Sequence, residues 1–288
     1  MQQTASPLLR PTRPRPTAAR LTTAAACAVL ALGMTVLAVD PAAQAAPAPD
    51  SRSGAAHSDA AHPVKTDPRL IRLQGTENTR TFATYRTTDG HALNPRVIRS
   101  DNLSKLTPGD QRALAGRGVA TVVDLRTGIE RGLQPDRPVP GAKNVAADIF
   151  GDQLVGALNL DDGYRMFVSE PHARAEFART LRLVSATLAK GHAVLFHCTA
   201  GKDRTGWTAA MLLTIAGVDR ATVNRDYLAS NKFRHTTSAD AQNGVRIEWL
   251  NTSFATADRM YGSFDGYLRR GLRLSDAEIA TLRAQLRG

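Results

Sequence analysis

Apolar residues along this chain fall into short runs of two kinds. The run Val119-Ala120-Thr121-Val122-Val123-Asp124-Leu125 is rich in β-branched residues and follows a glycine, which predicts a buried strand. Arg96 to Ser100 reads as a second strand, and the apolar residues leading to His197 as a third. Lys143 to Asp148 is a weaker one. Leu70 to Leu73 and Thr81 to Tyr85 alternate well enough for short strands, and Asp89-Gly90 marks a turn. Between these runs the period lengthens to that of a helix. Thr107 is an N-cap with Pro108 at the first helical position, and that helix ends near Gly116 to Gly118. A longer helix covers about Glu170 to Ala189, with Phe177, Leu181, Val184 and Leu188 on one face and Gly191 as its stop. Thr205 to Ala216 and a run beginning at Trp249 are further helices. Strands alternating with helices predict one α/β domain, a central and mostly parallel sheet flanked by helices. Such sheets bind ligands at the carboxyl ends of their strands.

The first 45 residues follow a different grammar. Arg10, Arg13, Arg15 and Arg20 precede an apolar stretch from Leu21 to Val39, which Asp40-Pro41 breaks; Ala43-Gln44-Ala45 is a small-x-small cleavage site. That order predicts a secretory leader over 1–45, with a retained membrane anchor as the alternative. No Arg-Arg pair points to the twin-arginine route. Residues 46–68 are Ala-, Pro-, Ser-, Asp- and His-rich without periodicity and predict a disordered linker. His57 and His62 lie there without further ligands at metal spacing, so no metal site is expected. The catalytic domain is then 69–288, long enough for one good core.

Cleavage would remove Cys27 and leave Cys198 as the one cysteine, which excludes an internal disulfide. A secreted chain that keeps a single thiol has a chemical use for it. The formal charge of +11 falls to +8 when the leader's four Arg and Asp40 are removed, a surface that attracts anions. No aromatic-basic RNA motif or DNA-binding helix pair stands in the sequence, so nucleic acid is not an expected partner.

The chemistry concentrates at Val194-Leu195-Phe196-His197-Cys198-Thr199-Ala200-Gly201-Lys202-Asp203-Arg204-Thr205-Gly206. A strand, a short loop and a helix N-terminus make a cradle for an anion, lined by backbone N–H groups and the helix dipole. A Cys at its mouth is placed as a thiolate nucleophile. Arg204 offers a planar fork for two phosphate oxygens. A buried core cysteine does not account for three charged residues in a row between Gly201 and Gly206. A sulfur-transfer domain of rhodanese type has no use for Lys202-Asp203-Arg204-Thr205 opening a helix.

At these positions the chain resembles the cysteine-dependent protein tyrosine phosphatases, whose signature is His-Cys-x5-Arg-Ser/Thr, here His197, Cys198, Arg204 and Thr205. The full string is similar to bacterial secreted tyrosine and phosphoinositide phosphatases with Lys-Asp in the loop. Val97 to Leu103, Val122 to Thr127 with Glu130 and Pro135-Asp136, Arg225 to Asn231 and Tyr261 to Leu268 extend the resemblance over about Leu70 to Gly288. Ala83-Thr84-Tyr85 departs from the family's usual Gly-Gly-Tyr turn.

The resemblance implies a tyrosine-phosphatase-like fold with helical lid elements after the active-site helix, the segment Lys232 to Arg246 being the candidate lid. It implies Cys198 as nucleophile, Arg204 as the holder of the equatorial oxygens, and no cofactor. Main-chain N–H groups from Thr199, Ala200, Gly201 and Lys202 onward would bind the substrate. His197 would orient the loop, and Thr205 would bond the leaving thiolate, cap the helix, or both. Classical members bring their general acid on a mobile loop; this branch is thought to use the loop Asp, here Asp203, and Asp152 is the alternative. Asp124 reads as the ion-pair partner of Arg126, while Asp226 is either a support for the loop or a surface carboxylate. In this branch Lys202 goes with phosphoinositide as well as phosphotyrosine substrates; a solvated loop lysine is the other reading.

The expected function is a secreted phosphatase for phosphotyrosine, extending to phosphoserine, phosphothreonine and phosphoinositides, acting through a cysteinyl-phosphate. Its partners would be phosphorylated proteins or phosphoinositides, with membrane contact only through a lipid substrate. The alternatives are a phosphoinositide phosphatase proper and a phosphate-binding module with little turnover.

Overall fold

A computed structural model describes Asp67, residues 69–151 and residues 160–288. The leader, the linker up to residue 66 and Asp152 lie outside the described residues. Five strands form one sheet: β1 (Arg80–Thr81), β2 (Val97–Ser100), β3 (Val119–Asp124), β4 (Lys143–Ala146) and β5 (Ala193–His197), in the order β1-β2-β5-β3-β4. β1 runs antiparallel at one edge and the other four are parallel. Helices α1 (Pro108–Gly116), α2 (Gly128–Leu133), α3 (Leu160–Ser169) and α4 (Pro171–Leu188) fill the crossovers. After β5 come α5 (Arg204–Ala216), α6 (Arg220–Phe233), α7 (Ile247–Tyr261), α8 (Phe264–Gly266), a π-helical turn over Tyr267–Gly271, and α9 (Asp276–Leu286). Among the described residues no helix is long and apolar enough to cross a membrane.

The central strands read as continuous apolar runs because both faces are covered. Successive side chains point to opposite faces. Ile98, Val122 and Leu195 pack with Leu106, Leu114 and Val139 beneath α1. Val97, Val123, Val194 and Phe196 join the larger cluster with Phe177, Leu181, Val184 and Leu188 of α4 and the buried face of α5. α1 starts as its sequence specifies: Thr107 and Asp110 form a reciprocal capping box, with Pro108 at the first position.

Two expected strands are shorter than their alternation suggests. Leu70 alone of Leu70 to Leu73 makes a bridge, to Arg80, and the chain turns after Thr81, where the Tyr85 N–H donates to the Phe82 carbonyl at 2.9 Å. Edge strands gain hydrogen bonds on one side only, so a turn ends them easily. Ala83 and Thr84 make that turn without a positive φ, so the Gly-Gly of the family is not needed for it.

Parallel register aligns Ser100 with His197 and His197 with Asp124. The loops after β2, β5 and β3 therefore leave the sheet at one carboxyl edge, side by side. That edge carries every candidate residue of the loop.

Candidate active site

The loop from Cys198 to Asp203 is held from outside by its carbonyl groups. The Thr199 carbonyl accepts from the Asn102 N–H at 3.1 Å and from its Nδ2 at 3.0 Å. The Ala200 carbonyl accepts from Arg234 Nη1 at 3.2 Å, and the Gly201 carbonyl from Asn78 Nδ2 at 3.0 Å and Arg99 Nη2 at 2.9 Å. Turning the carbonyls outward turns the peptide N–H groups the other way. The N–H groups of Thr199 to Asp203 donate to no acceptor among the described residues. Such a ring of aligned amides attracts an anion.

Gly201 is required for this path. Its φ is +65°, and a Cβ there would stand 2.6 Å from the Ser100 carbonyl oxygen and from the Asp101 nitrogen. The loop thus lies directly against the end of β2. Gly206, in the first turn of α5, allows a similar close approach: a Cβ there would meet the Tyr227 ring at 3.0 Å.

Arg99 is itself fixed. It and Arg80 both pair with Asp226 of α6, the Arg80 Nε at 3.2 Å, and the Tyr85 hydroxyl donates to the same carboxylate at 3.0 Å. Asp226 is fully buried, and the charges of Arg99 and Arg80 hold its carboxyl below the usual range against the pull of burial. It is therefore no surface carboxylate; it braces the loop through Arg99.

Cys198 directly follows β5 and is 2% exposed. Arg204 opens α5, with its guanidinium 5.3 Å from the centre of the Phe150 ring. Glu130 of α2 accepts from both its terminal nitrogens, at 2.6 and 2.7 Å, and also from the Thr199 hydroxyl. Two of the five guanidinium donors are used in this way, which fixes its plane and leaves others for an anion. Burial opposes the charge on Arg204, but the hydrogen bonds to Glu130 and the charge of that carboxylate raise its pKa above the ordinary arginine value. Glu130 is reached because Thr127 and Glu130 form a capping box that starts α2 beside the loop.

Burial raises the Glu130 carboxyl, yet bonding to Arg204 and its charge win, and its pKa falls to about 2. A carboxylate depressed in the folded state contributes stability that is full above its unfolded value of about 4.3 and lost as pH falls toward the folded value. Denaturant unfolding between about pH 4.5 and 2 is expected to show the wild type losing stability more steeply than Glu130→Gln. Parallel curves would mean that Glu130 is not held by the ion pair.

Asp203 takes the N-cap position of α5 but makes no capping bond. Its Oδ1 accepts from the Tyr164 hydroxyl at 2.7 Å, and its Oδ2 lies 3.0 Å from Lys202 Nζ. Lys202 is 4% exposed, with Nζ 5.7 Å from the centre of the Trp249 ring. It is not a solvated loop lysine. Thr205 is fully buried, and its hydroxyl has no partner among the described residues. The His197 ring is fully buried as well; Nδ1 lies 3.3 Å from the Cys198 carbonyl and Nε2 3.0 Å from Asp136.

Asp124, Asp136 and His197 bring potential ligand atoms within 4.8 Å of one another. The Arg126 guanidinium sits 2.6 Å from Asp124 and 2.8 Å from Asp136 and supplies the positive charge there. His197 and Arg126 together hold the Asp136 carboxyl below its usual range despite its burial. The cluster is an ion network behind the loop, with Asp124 paired to Arg126 as the sequence suggests.

A model of the tyrosine phosphatase family matches residues 71–288, which include all of this site. The chain belongs to the tyrosine phosphatase family. The triple specificity protein phosphatase PtpB of Mycobacterium tuberculosis is 29% identical over 257 residues, covering 68% of this chain and 93% of that protein. A tyrosine-protein phosphatase of Nostoc commune is 30% identical over 222 residues, covering 66% of this chain and 73% of that one. Among solved structures, P. aeruginosa TpbA in complex with phosphotyrosine is 18% identical, covers 57% of this chain and 88% of its own, and has a TM-score of 0.32. Human DUSP28 is 15% identical, covers 58% and 91%, and has a TM-score of 0.36.

The phosphatase therefore acts on phosphotyrosine, and its loop stands between groups to which the sequence alone assigns no role. Glu130, Asn78, Asn102, Arg99 and Tyr164 are the main ones. The Thr127-x-x-Glu130 spacing is a capping-box signal that announces α2 and hence Glu130. No local pattern announces Asn78, which lies more than a hundred residues before the loop it braces.

Proposed function

We propose that this chain is a secreted phosphatase that transfers the phosphoryl group of its substrate to Cys198. The observation that carries the mechanism is the convergence of Cys198, the inward N–H groups, Arg204 and Asp203 on one loop. The Cys198 thiolate attacks phosphorus. The S–P bond forms as the bond to the leaving oxygen breaks, and the Asp203 carboxyl gives that oxygen its proton. Arg204 and the N–H groups hold the equatorial oxygens, whose charge they stabilise. Water then attacks the phosphocysteine and loses a proton to the Asp203 carboxylate. Inorganic phosphate leaves, and the thiolate is restored. His197 and Thr205 are buried beside this path: His197 orients the loop, and the Thr205 hydroxyl is free to donate to the departing sulfur.

Asp203→Asn tests the acid. Its kcat/KM on phenyl phosphate, which reports the first transfer alone, is expected to fall by about a hundredfold, and far less on an aryl phosphate with a very acidic leaving group. Equal slowing on both would pass the acid's role to another carboxylate such as Asp152. Lys202, a second buried cation beside Asp203, supports phosphoinositides as additional substrates. A panel of phosphotyrosine peptide, phosphoserine peptide and monophosphorylated inositides at matched concentration separates these activities. The leader supports export, and N-terminal sequencing of exported protein is expected to begin near Ala46; an intact Met1 to Val39 in a membrane fraction would indicate an anchor.

A further inference from the structure

Asp203 is an N-cap residue that does not cap. An aspartate at this position ordinarily accepts an N–H of the first helical turn and so stabilises the helix. Here the carboxylate is turned away from α5 and toward a pair of buried tyrosines. Tyr164 of α3 donates its hydroxyl to Asp203 Oδ1 at 2.7 Å. The Tyr164 and Tyr227 hydroxyls lie 2.6 Å apart. A phenol has one proton, so with Tyr164 committed to Asp203 the proton between the two rings comes from Tyr227. The chain of donors runs in one direction, from α6 through α3 to the loop.

Both rings are locked. Tyr164 is 1% exposed and Tyr227 is fully buried. Tyr164 stacks on Trp249 at 6.1 Å and meets Tyr227 edge-on at 6.2 Å, while Tyr227 packs against Gly206 of α5. Burial pushes both phenols well above their ordinary pKa, so they remain donors throughout the working range.

We infer that Tyr164 is a positioning residue for Asp203, with Tyr227 holding its hydroxyl in place. This rests on Asp203 being the general acid. A carboxyl has two oxygens, and only one faces a leaving group at a time. Tyr164 donates to Oδ1, and Lys202 Nζ lies 3.0 Å from Oδ2 and 3.2 Å from Oδ1, so the phenol does not choose the oxygen but fixes the carboxyl's direction. The hydrogen bond thus selects the side-chain rotamer in which the carboxyl meets the leaving group. The stability forgone at the helix cap is consistent with a carboxylate placed for chemistry rather than for the helix.

The test uses the full chain with Tyr164→Phe, Tyr227→Phe, Asp203→Asn and the double variant Tyr164→Phe/Asp203→Asn. Aryl phosphates of graded leaving-group acidity are the substrates. Tyr164→Phe is expected to lower kcat/KM on phenyl phosphate by about tenfold and to leave kcat/KM for the most acidic leaving group within about twofold, with vanadate affinity unchanged. Tyr227→Phe should do the same more weakly, by about threefold, and decides the matter if Tyr164→Phe does not fold. In the Asp203→Asn background, Tyr164→Phe should add no further leaving-group dependence. Equal slowing across all leaving groups, or none, in variants that fold would overturn the inference. If Asp203→Asn itself shows no leaving-group dependence, the reading of Asp203 as acid fails instead.

Discussion

Cys198→Ser is expected to abolish turnover while the protein stays folded and still binds phosphate-like ligands. Sulfur and oxygen differ little in size, and Cys198 is 2% exposed among residues that close around it without needing its chemistry. The cradle itself is built from carbonyls gripped by Asn78, Asn102, Arg99 and Arg234, none of which depends on the thiol. What the substitution removes is the nucleophile: a serine hydroxyl at neutral pH is almost wholly protonated, and no base is placed to take its proton. The nearest imidazole, His197, has its ring nitrogens at the Cys198 carbonyl and at Asp136. A loss of at least about 10⁴ in kcat is expected, with the affinity for vanadate or a phosphotyrosine peptide retained. Full activity in the serine variant would sink the covalent route.

Arg204→Lys is expected to cost about 10³ in kcat, or about 4 kcal/mol of transition-state stabilisation. Charge is preserved, so an effect of that size would show that the planar fork matters. A lysine ammonium cannot accept the two-point grip of Glu130 at 2.6 and 2.7 Å and still present further donors in a fixed plane to phosphorus-bound oxygens. It would be drawn to Glu130 as a point charge and leave the equatorial oxygens to the backbone N–H groups alone. Single-turnover kinetics with an aryl phosphate check this, and a change within about threefold would mean that Arg204 contributes charge without geometry.

The site was legible where its chemistry is local. Cys198, the glycines and Arg204 stand within one short string, and the strand and helix that carry them have clear periods, so the loop and its place at the sheet's carboxyl edge could be read directly. Asp226 could be read only as undecided, because nothing local shows that Arg80 and Arg99 come to it from β1 and β2. Lys202 is similar: its burial depends on Trp249, which arrives from α7. Tyr164 and Tyr227 were invisible because each looks like an ordinary core aromatic of its own helix, and their roles arise from a meeting of α3, α6 and the loop. The edge is shorter than the alternation of Leu70 to Leu73 suggests, because of these four only Leu70 forms a strand bridge. Long-range contacts, not local preference, decide these cases.

In the proposed mechanism the phosphoryl group rests on Cys198 between its two transfers. In that mechanism Asp203 serves as acid in the first transfer and base in the second, so Asp203→Asn should slow water's attack and let the intermediate accumulate with a substrate whose leaving group needs no proton. Acid quenching of that variant during turnover, followed by mass analysis of its peptides, reads the site directly. One phosphoryl group is expected on the peptide that carries Cys198, and none in Cys198→Ser. Steady turnover with no phosphoryl group on Cys198 at any quench time, or with the group on another residue, would contradict it.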